Sequence, residues 1–290
     1  MSRSTPATHP PASAFAAVVI ANLALAFGPW FVRLADVGPV AAAFWRITLA
    51  APLIVLLAGA TGGRPRGLTP GLLITVALAG VAFAADLASW HLGIVRTTLA
   101  NATLFGNAAT LIFPIYGFIA ARALPNLYQA FALLLAGAGG ALLMGRSYQA
   151  DPRHLAGDLL SLLAGILYAV YFIAMARVRA TLAPLPALAL STLASILPLL
   201  FFAAFLGERI LPGAWGALIG LALCSQVLGQ GLMIYALGRL SPLVVGIALL
   251  IQPVVAATIG WLRYGERLAP ADLIGALLVA AALVLVRRAA

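Results

Sequence analysis

The sequence has very few charged residues, and none of them is lysine. Only 8% of its 290 residues are charged, and all 17 basic residues are arginine. A soluble domain has about a quarter of its residues charged, so this composition excludes a surface that is solvated by water throughout. The formal charge of +10 does not indicate nucleic-acid binding, because no basic cluster is larger than two neighbouring arginines.

Cysteine and catalytic motifs are also scarce. Cys224 is the single cysteine, so no disulfide can form within the chain, and its place in an apolar stretch predicts a buried thiol. His91 has no second histidine near it in the sequence, which gives no support for a metal site. The chain has no phosphate-binding loop, nucleophile elbow or His-Glu-x-x-His motif. We therefore expect neither an enzyme nor a cofactor or metal ion.

Apolar residues dominate the chain. They make up 64% of it, and the mean hydropathy is +1.10. The apolar residues form continuous runs rich in Ala and Leu without strand-like alternation, which favours membrane-spanning helices over a barrel. Ten stretches have a spanning length of about 18–25 residues. They lie at 15–34, 38–58, 70–91, 97–121, 126–145, 156–178, 184–206, 213–237, 242–262 and 270–287.

The hydrophobic pattern repeats once along the chain with an offset of 145 residues. Pro39, Gly71, Trp90 and Gly93 recur as Pro184, Gly216, Tyr235 and Gly238. Each copy has five spans. Because five is an odd number, the second copy enters the bilayer from the opposite side and has the inverted orientation. We therefore predict an all-α integral membrane protein of ten transmembrane helices in two inverted five-helix repeats, an architecture typical of secondary transporters.

The repeat defines the expected organisation of the chain. Residues 1–14 are predicted to be a disordered tail, 15–145 the first repeat, 146–155 a linker and 156–290 the second repeat. Residues 24–26 resemble a signal-peptide cleavage site, but cleavage there would leave nine spans. With ten spans both termini lie on one side, which carries nine arginines against seven on the other. This bias favours cytoplasmic termini, and we expect a bacterial inner-membrane location.

Several motifs carry a resemblance to a known family. They are Phe44-Trp45-Arg46 in span two, Tyr235-Ala236-Leu237, Pro253, Gly265-Glu266-Arg267-Leu268 and Gly275, with Arg122-Ala123-Leu124 as an eroded counterpart in the first half. Together they resemble the EamA-type drug/metabolite transporter superfamily, and overall the chain is most similar to its aromatic amino-acid exporters of the YddG type. The resemblance covers essentially all ten spans. It implies a ten-helix exporter whose cavity is lined by spans one, three, four, six, eight and nine.

Two ionisable residues inside spans are candidates for function, because charges there are costly. Arg46 lies roughly 12–14 Å into span two. It could pair with a substrate carboxylate, or it could bind helix-end carbonyls or a nearby acid. Asp86 in span three shares a helical face with Phe83 and Trp90. Facing a cavity, this trio would suit a zwitterion with an apolar side chain; near the surface, Asp86 would pair with Arg96 or Arg46.

Amides and aromatic residues complete the predicted cavity. Its expected residues are Asn22, Phe83, Asp86, Trp90, Asn101, Phe105, Tyr168, Tyr171, Gln226, Gln230, Tyr235 and Gln252. Asn107 is expected to point away from Asn101 and Phe105. The amides could instead form hydrogen bonds between helices. Such bonds contribute little free energy, so both roles are energetically accessible. Prolines 52, 114, 198 and 253 are predicted to interrupt their helices, with Pro114 and Pro253 as hinges.

These features predict a secondary transporter that exports small metabolites, above all aromatic or neutral amino acids. One repeat would rock against the other around a midplane cavity. Asp86 is the one acid suited to proton coupling; without that role the protein would be a facilitator. A multidrug exporter of lipophilic cations and a lipid flippase are the alternatives. We expect a monomer whose partners are its substrate and lipid.

Overall fold

The computed structural model describes residues 12–61, 68–97, 99–145, 154–264 and 270–289. Within these ranges all regular secondary structure is helical. The elements are α1 (Ala12–Leu25), α2 (Gly28–Leu34), α3 (Pro39–Ala60), α4 (Pro70–Ile94), α5 (Leu99–Gly106), α6 (Ala109–Ala121), α7 (Leu127–Gly145), α8 (Leu155–Arg179), α9 (Pro184–Phe205), α10 (Gly216–Gly220), a π-helical segment (Leu221–Gln230), α11 (Gly231–Leu237), α12 (Pro242–Ala248), α13 (Ile251–Tyr264) and α14 (Pro270–Ala289).

Six of the described helical stretches are long and apolar enough to cross a membrane. They are Ala12–Leu34, Pro39–Ala60, Pro70–Ile94, Leu155–Arg179, Pro184–Phe205 and Gly216–Leu237. Shorter apolar helices occupy Ala109–Ala121, Leu127–Leu142, Pro242–Val255 and Leu273–Val286. Every predicted span thus contains helix, but length and hydropathy define six crossings in the described residues, and the ten-span arrangement stays a prediction.

The outer surface of these helices is apolar. Leu56, Ile119 and Leu197 are each about 70% exposed, and many other large apolar side chains are exposed with them. A soluble monomer rarely exposes so large an apolar area. Lipid is the solvent that this surface suits, so the chain is a multi-pass membrane protein.

Proline and hydroxyl residues set where several helices begin. Five helices begin at a proline, whose missing N–H costs nothing in the first turn: Pro39, Pro70, Pro184, Pro242 and Pro270. Before two of them, the hydroxyls of Thr69 and Ser241 accept hydrogen bonds from the N–H groups of Leu72 and Val244. These caps satisfy helix-end donors that lipid cannot solvate.

The helix boundaries repeat in one pair with the offset seen in the sequence. α3 and α9 are both 22 residues long, and each boundary of α9 lies 145 residues after that of α3. The preceding residues, Gly38 and Ala183, share an extended backbone with φ near −60° and ψ near 155°. This pair therefore has the same local structure in both halves of the chain.

Close helix pairs join the two halves. α4 packs against α8, α3 against α9, α6 against α12, and α7 against α14, while α1 packs against α11 and the π-helical segment. The main apolar core runs through both halves, from Ala14 to Val286. The two sequence halves therefore interlock and do not form separate bodies.

Hydrogen bonds hold one end of the α3–α9 pair. Glu208, after α9, accepts the N–H of Ala41 at 2.8 Å, and the indole of Trp45 donates to the carbonyl of Ile210 at 2.7 Å. Asp36 accepts the N–H of Gly213 at 2.7 Å. The first turn of α3 is thus fixed to the loop that follows α9.

Two predictions about local structure need correction. α3 and α9 continue unbroken through Pro52 and Pro198, because neighbouring packed helices let a membrane helix tolerate proline. Pro114 lies inside α6, and its span breaks earlier, at Asn107–Ala108. Pro253 is the third residue of α13, just after a break. At the N-terminus, α1 begins at Ala12, inside the predicted disordered tail.

Candidate functional site

The candidate site is a cavity where several helices break. α1 gives way to α2 at Ala26–Phe27, α5 to α6 at Asn107–Ala108, and α12 to α13 at Leu249–Leu250. The π-helical segment Leu221–Gln230, which packs against α1 and α3, interrupts the span that begins at α10. Discontinuous helices are a recurrent way to build a binding site at membrane depth.

Short-range hydrogen bonds explain two of these breaks. Asn22 and Asn107 each donate a side-chain N–H to the carbonyl four residues earlier, Val18 and Thr103, at 2.8 Å. Such bonds compete with the regular backbone pattern. After each Asn the next turn tightens, as in the hydrogen bond from the N–H of Ala108 to the carbonyl of Phe105 at 3.1 Å.

The cavity is lined by charged, amide, hydroxyl and aromatic groups together. The lining residues are Leu25, Ala26, Pro29, Arg46, Phe83, Asp86, Leu87, Trp90, Thr103, Gly106, Asn107, Tyr168 and Gln252. The cavity has a volume of about 50 Å³, and one water molecule needs about 10–15 Å³. In this conformation it therefore has room for a few water molecules.

Arg46 has most of its donors free. It is 2% exposed, its Nε donates to Oε1 of Gln226 at 3.2 Å, and its guanidinium carbon lies 5.9 Å from the centre of the Phe83 ring. Among the described residues, its two terminal nitrogens have no hydrogen-bond or ion-pair partner. They are donors available to a group in the cavity.

Asp86 is a second buried charged group on the cavity wall. It is 6% exposed, and within the described part of the chain its carboxylate makes no hydrogen bond or ion pair. Arg46 and Asp86 face the same cavity yet do not form an ion pair with each other. A buried charge is costly unless it is paired, so both groups favour a ligand or water in the space between them.

Aromatic rings form one wall of the cavity. Phe83 stacks on Tyr171 with ring centres 4.4 Å apart and lies 6.3 Å from Tyr168. Trp90 lies between two backbones: a Cβ added at Gly106 would be 3.0 Å from its Nε1, and one at Gly28 would be 3.6 Å from its ring. Both glycines lie beside a helix break, so the breaks make room for the indole.

Amide groups connect the cavity helices. Gln252 donates its Nε2 to Oδ1 of Asn22 at 2.9 Å, joining α13 to α1. The hydroxyl of Tyr168 donates to Oε1 of Gln230 at 3.2 Å. Both bridges satisfy polar atoms that lie within membrane helices and keep them in fixed positions.

The structure separates the predicted site residues into three sets. Arg46, Phe83, Asp86, Trp90, Tyr168 and Gln252 line the cavity. Asn22, Tyr171, Gln226 and Gln230 lie behind that wall, each in contact with one of its residues. Phe105 and Tyr235 are not among the lining residues; the hydroxyl of Tyr235 is 3.4 Å from that of Ser13. The Asn101 side chain lies outside the described residues.

Thr103, Gly106 and Asn107 also line the cavity and were not among the residues predicted for it. Asn107 was expected to point away from the face of Asn101. A signal for it exists, because Gln252 stands at the same place in the second half, 145 residues later. Asn107 lies at the break between α5 and α6 and not within a regular helix, so a regular helical face could not predict its orientation.

Potential metal ligands are not grouped together in the described ranges. These ranges contain no group of three or more His, Cys, Asp or Glu side chains that could hold a metal ion. His91 is fully buried, and its Nδ1 donates to the carbonyl of Pro39 at 2.9 Å. That bond ties α4 to the start of α3.

Comparison with known proteins supports a transporter. Residues 155–288 match the profile of the EamA-like transporter family, which supports the drug/metabolite transporter superfamily and a membrane transporter of small molecules. A non-enzymatic role is consistent with that match. No curated protein matches the sequence. One solved structure, described only as the crystal structure of a protein, is similar with a TM-score of 0.72 and 14% identity over 94% of both chains. That likeness shows the fold alone.

The family match and the cavity fall on different halves of the chain. The matched residues begin at Leu155, whereas the cavity is lined mostly from the first half, with Tyr168 and Gln252 as the contributions of the second. The second half therefore carries the family resemblance, and the first half supplies most of the side chains that would select a ligand.

Proposed function

We propose that the protein is a secondary transporter that exports neutral and aromatic amino acids across the bacterial inner membrane. The observation that carries this proposal is the unpaired Arg46 and Asp86 on the wall of one cavity, beside Phe83, Trp90 and Tyr168. The guanidinium suits an α-carboxylate, the carboxylate suits an α-ammonium, and the rings suit an apolar side chain. With these few partners we expect millimolar affinity, about −4 kcal/mol.

We further propose that the ten spans form two inverted repeats with both termini in the cytoplasm. Alternating access would require bodies that move around the cavity. Because the most closely packed helix pairs join one half to the other, we propose that mixed groups of helices move, and not the two sequence halves. The breaks at Asn107–Ala108 and Leu249–Leu250 would absorb the motion.

A substrate larger than a few waters requires this cavity to widen. An aromatic amino acid would have to displace the ring of Trp90 from between Gly28 and Gly106, or separate the helices that carry them. Binding should therefore shift the protein between conformations, as transport requires.

Ligand-induced stabilisation of the purified protein in detergent tests this proposal. At about ten times a millimolar Kd, a ligand bound to the native state alone stabilises it by about 1.4 kcal/mol, which raises the melting temperature. We expect L-phenylalanine to raise it and the lipophilic cation tetraphenylphosphonium to leave it unchanged. Stabilisation by the cation and not by the amino acid would favour the multidrug alternative, in which Asp86 is the cation site.

A further inference from the structure

We infer that Thr192 and Gln226 position Arg46 to bind the carboxylate of the substrate, so that this carboxylate raises the affinity of the site for its ligand. This inference rests on the proposed function, since it names how the same site distinguishes amino acids from amines. Neither Thr192 nor Gln226 lines the cavity; both would act through Arg46.

Two hydrogen bonds connect Thr192, Gln226 and Arg46 and so join the two halves of the chain; we call these three residues the relay. Nε2 of Gln226 donates to Oγ1 of Thr192 at 3.3 Å, and Oε1 of Gln226 accepts from Nε of Arg46 at 3.2 Å. Gln226 and Thr192 are 0% exposed and Arg46 is 2% exposed. The relay therefore lies in the protein interior and joins α9 and the π-helical segment to α3.

The Nε–H of Arg46 can only donate and so needs the amide oxygen of Gln226, while Thr192 accepts from the other end of that amide and holds it in place. With Nε2 directed at the threonine hydroxyl, Oε1 is the atom left for Arg46. The reverse orientation would set the amide N–H₂ against the guanidinium Nε–H, donor against donor. Thr192 thereby holds Gln226 in the orientation in which it can accept.

That orientation decides how the guanidinium is presented. A planar guanidinium held at Nε keeps its two terminal nitrogens in one place, and these are the atoms without a partner among the described residues. Phe83, 5.9 Å from the guanidinium carbon, supports one face of the same plane. Held in this way, the terminal N–H groups match the geometry of a carboxylate.

The test compares the affinities of the purified protein for L-phenylalanine and L-phenylalaninamide, which lacks the carboxylate. We expect Thr192→Val and Gln226→Met to weaken L-phenylalanine binding about tenfold, as for one charge-assisted hydrogen bond, while amide binding changes less than about twofold. The ratio of the two affinities therefore falls in both variants. Retained amide binding shows that each variant is folded.

Ser195→Ala is the matched control. Ser195 is a buried hydroxyl on the same helix as Thr192, but it donates only to backbone carbonyls, those of Gly80 and Ser191. We expect this variant to keep the wild-type ratio. A similar fall in Ser195→Ala would overturn the inference, because loss of any buried hydroxyl on α9 would then suffice.

The remaining outcomes are distinct. Equal loss of affinity for both ligands in the Thr192 and Gln226 variants would mean that the relay is merely structural, and unchanged affinities for both ligands would mean that it does not orient Arg46; either overturns the inference and leaves the proposed function standing. Failure of the wild-type protein to bind L-phenylalanine overturns the proposed function itself, without any substitution being made.

Discussion

Asn107 and Gln252 stand 145 residues apart in the chain and line the same cavity. Each lies at a helix break, between α5 and α6 for Asn107 and just after α12 for Gln252. Their hydrogen bonds differ: Asn107 donates to the carbonyl of Thr103 in its own span, and Gln252 donates to Asn22 in another. The repeat thus places two amides at equivalent positions, and their different neighbours give them different hydrogen-bond partners.

The carboxylate of Asp86 has a direct test. We expect Asp86→Asn to lower the affinity for neutral amino acids about tenfold or more, because the ammonium group loses a charged partner. The control is Asp36→Asn at the end of α3, outside the cavity, which should leave that affinity unchanged. Transport kinetics in liposomes give both values. If transport across a pH gradient is unaltered in Asp86→Asn, Asp86 does not couple protons to substrate.

The ring of Trp90 should limit substrate size. In Trp90→Phe the indole no longer fills the space between Gly28 and Gly106, so we expect the preference for tryptophan over phenylalanine to rise. Competition against labelled phenylalanine measures this. Trp45→Phe is the control, since Trp45 packs on Trp215 with ring centres 4.9 Å apart, away from the cavity lining. Equal changes in both variants would contradict the assignment.

Packing between α6 and α12 depends on a glycine. A Cβ at Gly246 would lie 2.5 Å from Cγ of Pro114 and 2.9 Å from the carbonyl oxygen of Thr110. We expect Gly246→Ala to destabilise the protein by about 1–3 kcal/mol, the usual cost of overpacking, and to lower the melting temperature. At Gly216 an added Cβ has nothing within 4 Å, so Gly216→Ala should change the stability by less than about 0.5 kcal/mol.

The cap at the start of α3 should contribute to stability. Glu208→Ala removes the acceptor for the N–H of Ala41, and we expect a loss of about 0.5–2 kcal/mol, as for other helix N-caps. Glu208→Gln keeps an acceptor oxygen and should lose less. Thermal unfolding of the two variants side by side measures the difference. Equal losses would mean that the charge of Glu208, and not the hydrogen bond, stabilises this end.

Hydropathy, together with the prolines and glycines that separate the apolar runs, predicted the positions of the helices well. Span two was expected at 38–58 and is helical from Pro39 to Ala60, and the aromatic and charged face of Phe83, Asp86 and Trp90 does line the cavity. The helix prediction succeeds because a long apolar run with a proline at its start has one stable form in lipid. Tyr235 was expected on the same wall and is not among the lining residues.

The breaks and the helix pairs could not be predicted in the same way. Leu249–Leu250 contains neither proline nor glycine, so these two residues do not mark the break, whereas Ala26–Phe27 is followed directly by Gly28-Pro29. The sequence also does not show which helices pack against each other, because lipid and the protein interior are both apolar and hydropathy does not distinguish them. The Gln226–Arg46 contact depends on that choice, and so does the separation of Arg46 from Asp86.

The central claim is tested most directly by efflux of labelled phenylalanine from liposomes that contain the purified protein, with and without a pH gradient. We predict saturable efflux that neutral amino acids inhibit, that Arg46→Met and Asp86→Asn both reduce strongly, and that protein-free liposomes do not show. Transport of lipophilic cations with no movement of amino acids would contradict the account, as would phenylalanine efflux that neither substitution changes.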